Sequence, residues 1–142
     1  MARITFKAGD DYMLRLLKTA NRSEAIMKEA IHEGAHILTD EIRANLEKNL
    51  AGSTQSTGAL AESLGITKIQ KDETGFWNAK IGFDGYDEKG VPNQLKARVM
   101  ESGSSTVRKR PFVRPAVNAK RKEVEAAMER VIMEEIKETM EE

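Results

Sequence analysis

Apolar residues recur every third or fourth position from Met27 to Leu46: Met27, Ile31, Ala35, Leu38, Ile42 and Leu46. That spacing predicts one face of a helix running to about Asn49. Ahead of it, Tyr12, Leu14, Leu16 and Leu17 predict a short helix over 9–20. In "NRSE" between the two, Asn21 or Ser23 can cap the longer helix, and Glu24 stands three after Asn21 as a capping box requires. "AGSTQSTG" breaks the period as a loop. The period then changes to two. Trp77, Ala79, Ile81 and Phe83 share one face of a half-buried strand. Ile66 opens an extended partner and "KDETG" reads as the turn, giving a hairpin within 60–90. After the loop "DGYDEKGVP", the stretch 91–103 fits a short helix or a strand, and Pro92 favours a helix start. A basic loop covers 102–112. Pro115 then opens a long helix over 114–140, lined by Val117, Val124, Met128, Val131, Ile132, Ile136 and Met140.

These periods predict an α+β domain spanning 1–142. A small antiparallel sheet, the hairpin plus one or two strands, is packed by the helical region 8–50 and the long C-terminal helix. The length, 142 residues, suits one core. No apolar run approaches a membrane span and no signal-peptide core opens the chain, so the expectation is a soluble protein made in the cytoplasm. There is no cysteine, which excludes disulfides and thiolate metal sites. Lys and Arg number 23 and Asp and Glu 23, so no global field selects nucleic acid. The balance hides a segregation: "VRKRPFVRPAVNAKRK" is basic and "MEEIKETMEE" acidic. This pattern suits contacts between copies, a positive surface, or simply a solvated helix.

"HEGAH" spells the zinc-protease signature with His32, Glu33 and His36, the chain's only two histidines. A catalytic zinc needs a third protein ligand, and only a carboxylate such as Glu62 remains. Measured from Ile31, Leu38 and Ile42 fall within about 20° around the helix. His32 and His36 fall about 100° and about 140° away, among Glu33, Asp40, Arg43 and Glu47. The pair therefore faces water or a partner, and the match is read as fortuitous. No phosphate-cradling glycine loop and no nucleophile elbow is present. Asp84 and Asp87 share one loop but lack the converging carboxylates of a nuclease. No catalytic residue, cofactor or metal is expected.

Two stretches carry more information. "STGALAESL" holds Thr57, Gly58, Leu60 and Ser63. "ARVMESGSSTVRKRPFVRPAV" holds Ala97, Glu101, Gly103, Arg110, Pro111, Phe112, Arg114 and Pro115. Gly103 permits positive φ just after Glu101. Pro111 fixes an extended approach and Pro115 starts a helix. Phe112 between them is a core anchor or, less simply, an intersubunit contact.

In these motifs the chain resembles the small head–tail joining, or tail-completion, proteins of tailed bacteriophages and prophages. That gene-product-ten-like family has "TG-x-L-x-x-S", then a hairpin, "A-x-x-x-E-x-G-T" and "RPF-x-RPA" before a C-terminal helix. The resemblance runs from about residue 20 to the end. Ser104 departs from the family's usual Thr, and Ser102 stands where an aromatic is common.

The resemblance implies a structural protein of the virion neck, made in the bacterial host cytoplasm. It would form a homo-oligomeric ring of six copies, or twelve, around the DNA path. Its partners would be the head connector or adaptor protein and the tail terminator or tail-tube protein, with no membrane. Contact with passing DNA would be transient and non-specific. Arg108, Lys109, Arg110, Lys120, Arg121 and Lys122 are the expected DNA-path or intersubunit residues, with the 102–110 loop projecting and ordering on assembly. The alternatives are a tail terminator capping the tail tube, a non-specific nucleic-acid-binding protein, and, least supported, a zinc hydrolase.

Overall fold

The computed structural model describes residues 7–51 and 58–141. The chain is α+β. Helices α1 (Lys7–Asn21) and α2 (Ser23–Leu50) follow almost without interruption. After a short α3 (Ala59–Glu62) come β1 (Leu64–Ile66), β2 (Gln70–Lys71), β3 (Trp77–Asn78) and β4 (Ile81–Phe83). Helices α4 (Asn93–Ser102) and α5 (Val113–Glu141) complete the chain. At 1.5 Å per residue, α2 and α5 are each a little over 40 Å long. They pack antiparallel: Arg22 at the start of α2 bonds Glu135 and Thr139, and Asn45 near its end bonds Phe112.

The expected capping box is absent. Arg22 occupies the N-cap of α2 with no side-chain cap, because its amide still donates to the Lys18 and Thr19 carbonyls of α1. Continuing the helical ladder across the junction leaves few orphan N–H groups for Asn21 or Ser23 to satisfy. Over the first half of α2 the buried stripe is displaced by one residue from the expected one, while Ile42 and Leu46 are buried as expected. Ile26, Ala30, Gly34, Ile42 and Leu46 are buried, while Met27, Ile31 and Ala35 are only half-buried. Gly34 explains the shift. A Cβ there would lie 2.9 Å from Met128 Cγ and Sδ and 3.1 Å from Val124 Cγ1, so side chains of α5 occupy the space that α2 leaves by having no side chain here. On α5 the deeply buried positions are Ala116, Ala127, Val131 and Thr139. Val117, Val124, Met128, Ile132, Ile136 and Met140 flank them half-buried.

The sheet is one interrupted hairpin and, among the described residues, gains no further strand. β1 pairs antiparallel with β4, and β2 with β3. The Trp77–Phe83 strand breaks at Ala79–Lys80, where three residues, Thr67 to Ile69, oppose two. This is a bulge, and it slips the register by one. Thr67 repairs the ladder: its amide donates to the Lys80 carbonyl and its Oγ1 accepts the Lys80 amide, both at 2.8 Å. "KDETG" is the turn, with Asp72 Oδ1 accepting from the Thr74 and Phe76 amides and from the Thr74 hydroxyl. These N–H and O–H groups, the Thr74 hydroxyl first, hold the Asp72 carboxyl below its ordinary range. Trp77 lies between Lys28 of α2 and Lys71, whose Nζ atoms are 5.0 and 5.3 Å from the ring.

The core sits at one end of the long helix pair. Ile42 and Leu46 of α2 meet Leu60, Leu64, Ala97, Met100, Phe112 and Ala116, with Ile81 and Phe83 packed against them. The other end is an arm of α1, the first half of α2 and the second half of α5. No helix among the described residues is long and apolar enough to cross a membrane.

Candidate interaction groove at the root of the C-terminal helix

The segment 91–103 is helix α4, with Pro92 extended at its N-cap and Asn93 buried at its start. Asn93 Nδ2 donates to the Asp84 carbonyl and its amide to the Gly85 carbonyl, fixing the preceding loop. In that loop Asp87 Oδ1 accepts from the Lys89 and Val91 amides, and Oδ2 pairs with Lys96 at 3.1 Å. The Val91 amide first, then the Lys96 ammonium, lowers the Asp87 pKa. Asp87 is thus a loop staple rather than half of a paired-carboxylate site.

At the other end of α4, Gly103 has φ +76° and its amide donates to the Val99 carbonyl. A Cβ there would lie 3.0 Å from the Lys109 amide nitrogen, so the chain can close here only on glycine. This closure presents Glu101 to the start of α5. Its carboxylate accepts the amide N–H groups of Phe112 at 2.8 Å, Val113 at 2.9 Å and Arg114 at 3.0 Å. Burial pushes the Glu101 pKa up, but the three N–H groups and the Arg114 charge outweigh it and hold the carboxyl below its ordinary value. A carboxylate from α4 therefore caps α5 across the fold.

Phe112 is fully buried and meets Phe83 edge-to-face at 5.8 Å, so it is core. Val113, not Pro115, begins α5, and Pro115 falls in its first turn, where no N–H is needed. Two α2 side chains hold "RPF" from the other side. Asn45 Nδ2 donates to the Phe112 carbonyl at 3.1 Å, and Asn49 Nδ2 to the Arg110 carbonyl at 2.9 Å. Arg110 returns a bond to the Asn49 carbonyl at 2.9 Å. Sequence reading missed Asn45 and Asn49. Their signal is two amides four residues apart at a helix end, where they face one side.

The other motif residues sit nearby. Gly58, at φ +81°, precedes α3, Leu60 is buried in the core, and the Ser63 hydroxyl donates to the Leu60 carbonyl. Ala97 is buried and Pro111 exposed. Thr57 lies outside the described residues. The 102–110 loop is built on its own hydrogen bonds, with Ser104 Oγ accepting from the Thr106 and Val107 amides. Of the six basic candidates, Arg110 is turned onto α2. Lys120 pairs with Glu123 at 3.0 Å and Glu41 at 4.0 Å, which raises its pKa, Glu123 contributing most. Arg108, Lys109, Arg121 and Lys122 remain exposed.

These elements enclose a groove of about 1160 Å³. Its floor includes Gly65 and Gly82, which face each other across β1 and β4, and among the described residues nothing beyond each glycine's own chain neighbours lies within 4 Å of where its Cβ would be. Lys80, Arg98, Arg114 and Arg121 line it against Asp84 and the already engaged Glu101. A bare strand pair rimmed by cations can admit another backbone closely and favours an acidic one.

The HEGAH residues lie elsewhere. His32, Glu33 and His36 are exposed on α2, the two rings edge-to-face at 4.4 Å. No group of three or more His, Asp or Glu among the described residues could hold a metal. No family model matches the chain, and neither does any curated protein or solved structure.

Proposed function

We propose that the chain is a structural component of a tailed-phage or prophage neck, joining head connector to tail as a ring around the DNA path. The observation that carries this reading is the surface of the arm. Met13, Leu14, Leu17 and Met133 expose 55–60% of their area there. Clustered apolar side chains on a charged surface are the mark of a protein-binding face. The resemblance in "RPFVRPA", Ala97, Glu101 and Gly103 says which kind of assembly. In the fold those residues act together: Glu101 caps the helix that "RPF" begins, and Gly103 closes the loop between them. They are a device for holding α5 at a set angle to α4, as a scaffold role requires, and they form no catalytic constellation. Net charge of zero suits a wall past which DNA must slide.

Induction of the prophage carrying a stop codon in this reading frame tests the proposal. DNA-filled heads and unattached tails are expected, and purified protein added to the lysate should restore joining. Tails of uncontrolled length would assign the chain to the end of the tail tube. Normal virions would overturn a role in the particle.

A further inference from the structure

Helix α5 is charged against its own dipole. Residues 108–122 carry seven Lys and Arg and no acid, whereas 123–141 carry seven Glu and two Lys or Arg. The first turn of α5 holds no acidic residue and the last turn no basic one. A helix macrodipole favours the opposite order, acids first and bases last. The arrangement therefore stabilises nothing within α5 beyond its middle, and within the chain it is met in part, by Arg22 at Glu135, Glu41 at Lys120 and Glu101 at Arg114. Among the described residues Arg121, Lys122, Glu134 and Glu138 make no ion pair. The acidic end is also the apolar end: α1, with its exposed Met13, Leu14 and Leu17, packs on α5. Arg22 ties the α1–α2 junction to Glu135 and Thr139. The basic end opens on the glycine-floored groove.

We propose that neighbouring copies of this chain associate tip to root. The acidic tip of one copy, made of α1 and the last turns of α5, seats on the basic groove and the outer side of α5's first half in the next. The two complementary surfaces lie at opposite ends of one helix more than 40 Å long, so each end of a copy can engage a different neighbour. That is a heterologous contact, which propagates and closes into a ring when the rotation allows. Closure rests on the neck reading; the contact itself does not.

Two charge-reversed variants test it. One carries Glu134→Lys and Glu138→Lys at the tip, the other Arg121→Glu and Lys122→Glu at the root; all four positions are exposed. Native mass is measured at low salt for the wild type, each variant and their equimolar mixture, with helix content by circular dichroism as the folding control. The wild type should form species larger than two chains. Each variant alone presents like charges at every contact and should lose at least about tenfold of that assembly. The mixture restores complementarity at every contact and should recover it to within about twofold. A wild type that stays monomeric, variants that assemble unimpaired, or a mixture that is not rescued would overturn the tip-to-root contact. So would rescue that stops at two chains, which is twofold pairing. None of these results would change the outcome of the prophage test, so failure of the contact and failure of the neck reading are separable.

Discussion

Glu101 accepts the Phe112 amide at 2.8 Å, and through that bond the end of α4 sets where α5 begins. With the Val113 and Arg114 amides also satisfied, this carboxylate serves three of the orphan donors at the start of the helix. Glu101→Ala should cost about 2 kcal/mol, given the usual worth of a charged cap. Thermal unfolding should fall by roughly 5–10 °C. An unchanged melting temperature would mean that water caps α5 equally well.

The pH dependence of that cap has a defined sign. Glu101 is held below the ordinary value of 4.5, so the folded state binds the proton less readily than the unfolded chain. Its contribution is complete above the unfolded pKa and is lost as pH falls through the lowered folded one. The stability difference between wild type and Glu101→Gln should be flat from neutral pH to about pH 5 and shrink below it. Urea midpoints at a series of pH values measure this, and a difference that grew on acidification would refute it.

At Gly34 the side chains of α5 pack directly against α2, with Met128 2.9 Å from the position of a Cβ. Alanine gains about 1 kcal/mol in helix propensity, but overpacking a helix crossing costs about 1–3 kcal/mol. Gly34→Ala should therefore be mildly destabilising and Gly34→Leu severely so. Met128→Ala makes room, so the Gly34→Ala/Met128→Ala pair should show a favourable coupling of about 1 kcal/mol. Strict additivity would place the conflict elsewhere.

Arg22 bonds Thr139 Oγ1 at 3.0 Å and Glu135 Oε2 at 3.3 Å, far from the main core. Arg22→Ala should fray the arm without unfolding the head. Amide exchange over 132–141 should accelerate about tenfold, while the unfolding midpoint moves by less than about 2 °C. A global loss of protection would make the arm part of one cooperative unit with the head.

The exposed His32 and His36 should be dispensable to folding. Removing metal with a chelator, or changing His36→Ala, should leave the melting temperature within about 1 °C, the usual result at a surface site. A drop of several degrees would revive the metal reading.

The two long helices and the hairpin were legible because each rests on a repeating pattern that burial imposes on the chain. The histidines of HEGAH could be placed on the polar side by helical geometry alone, but the residue between them that matters could not. Gly34 reads as a weak point in a helix until α5 lies across it. Asn45 and Asn49 look like polar surface until "RPF" passes beneath them. The capping box failed because Arg22 continues the ladder of α1, a choice that short-range pattern does not make.

By itself, then, the sequence determined the long helices and the hairpin between them, that Gly103 and the prolines punctuate the basic stretch, and how charge is segregated along α5, but not that 91–103 is helix. These are local properties, set by side-chain period, backbone freedom and order along the chain. Only the tertiary structure decided that Glu101 caps α5, that Arg110 and Lys120 are engaged within the chain, and that two bare glycines floor a basic groove. Each depends on groups brought together from distant positions, and whether such groups meet is a matter of packing rather than of pattern.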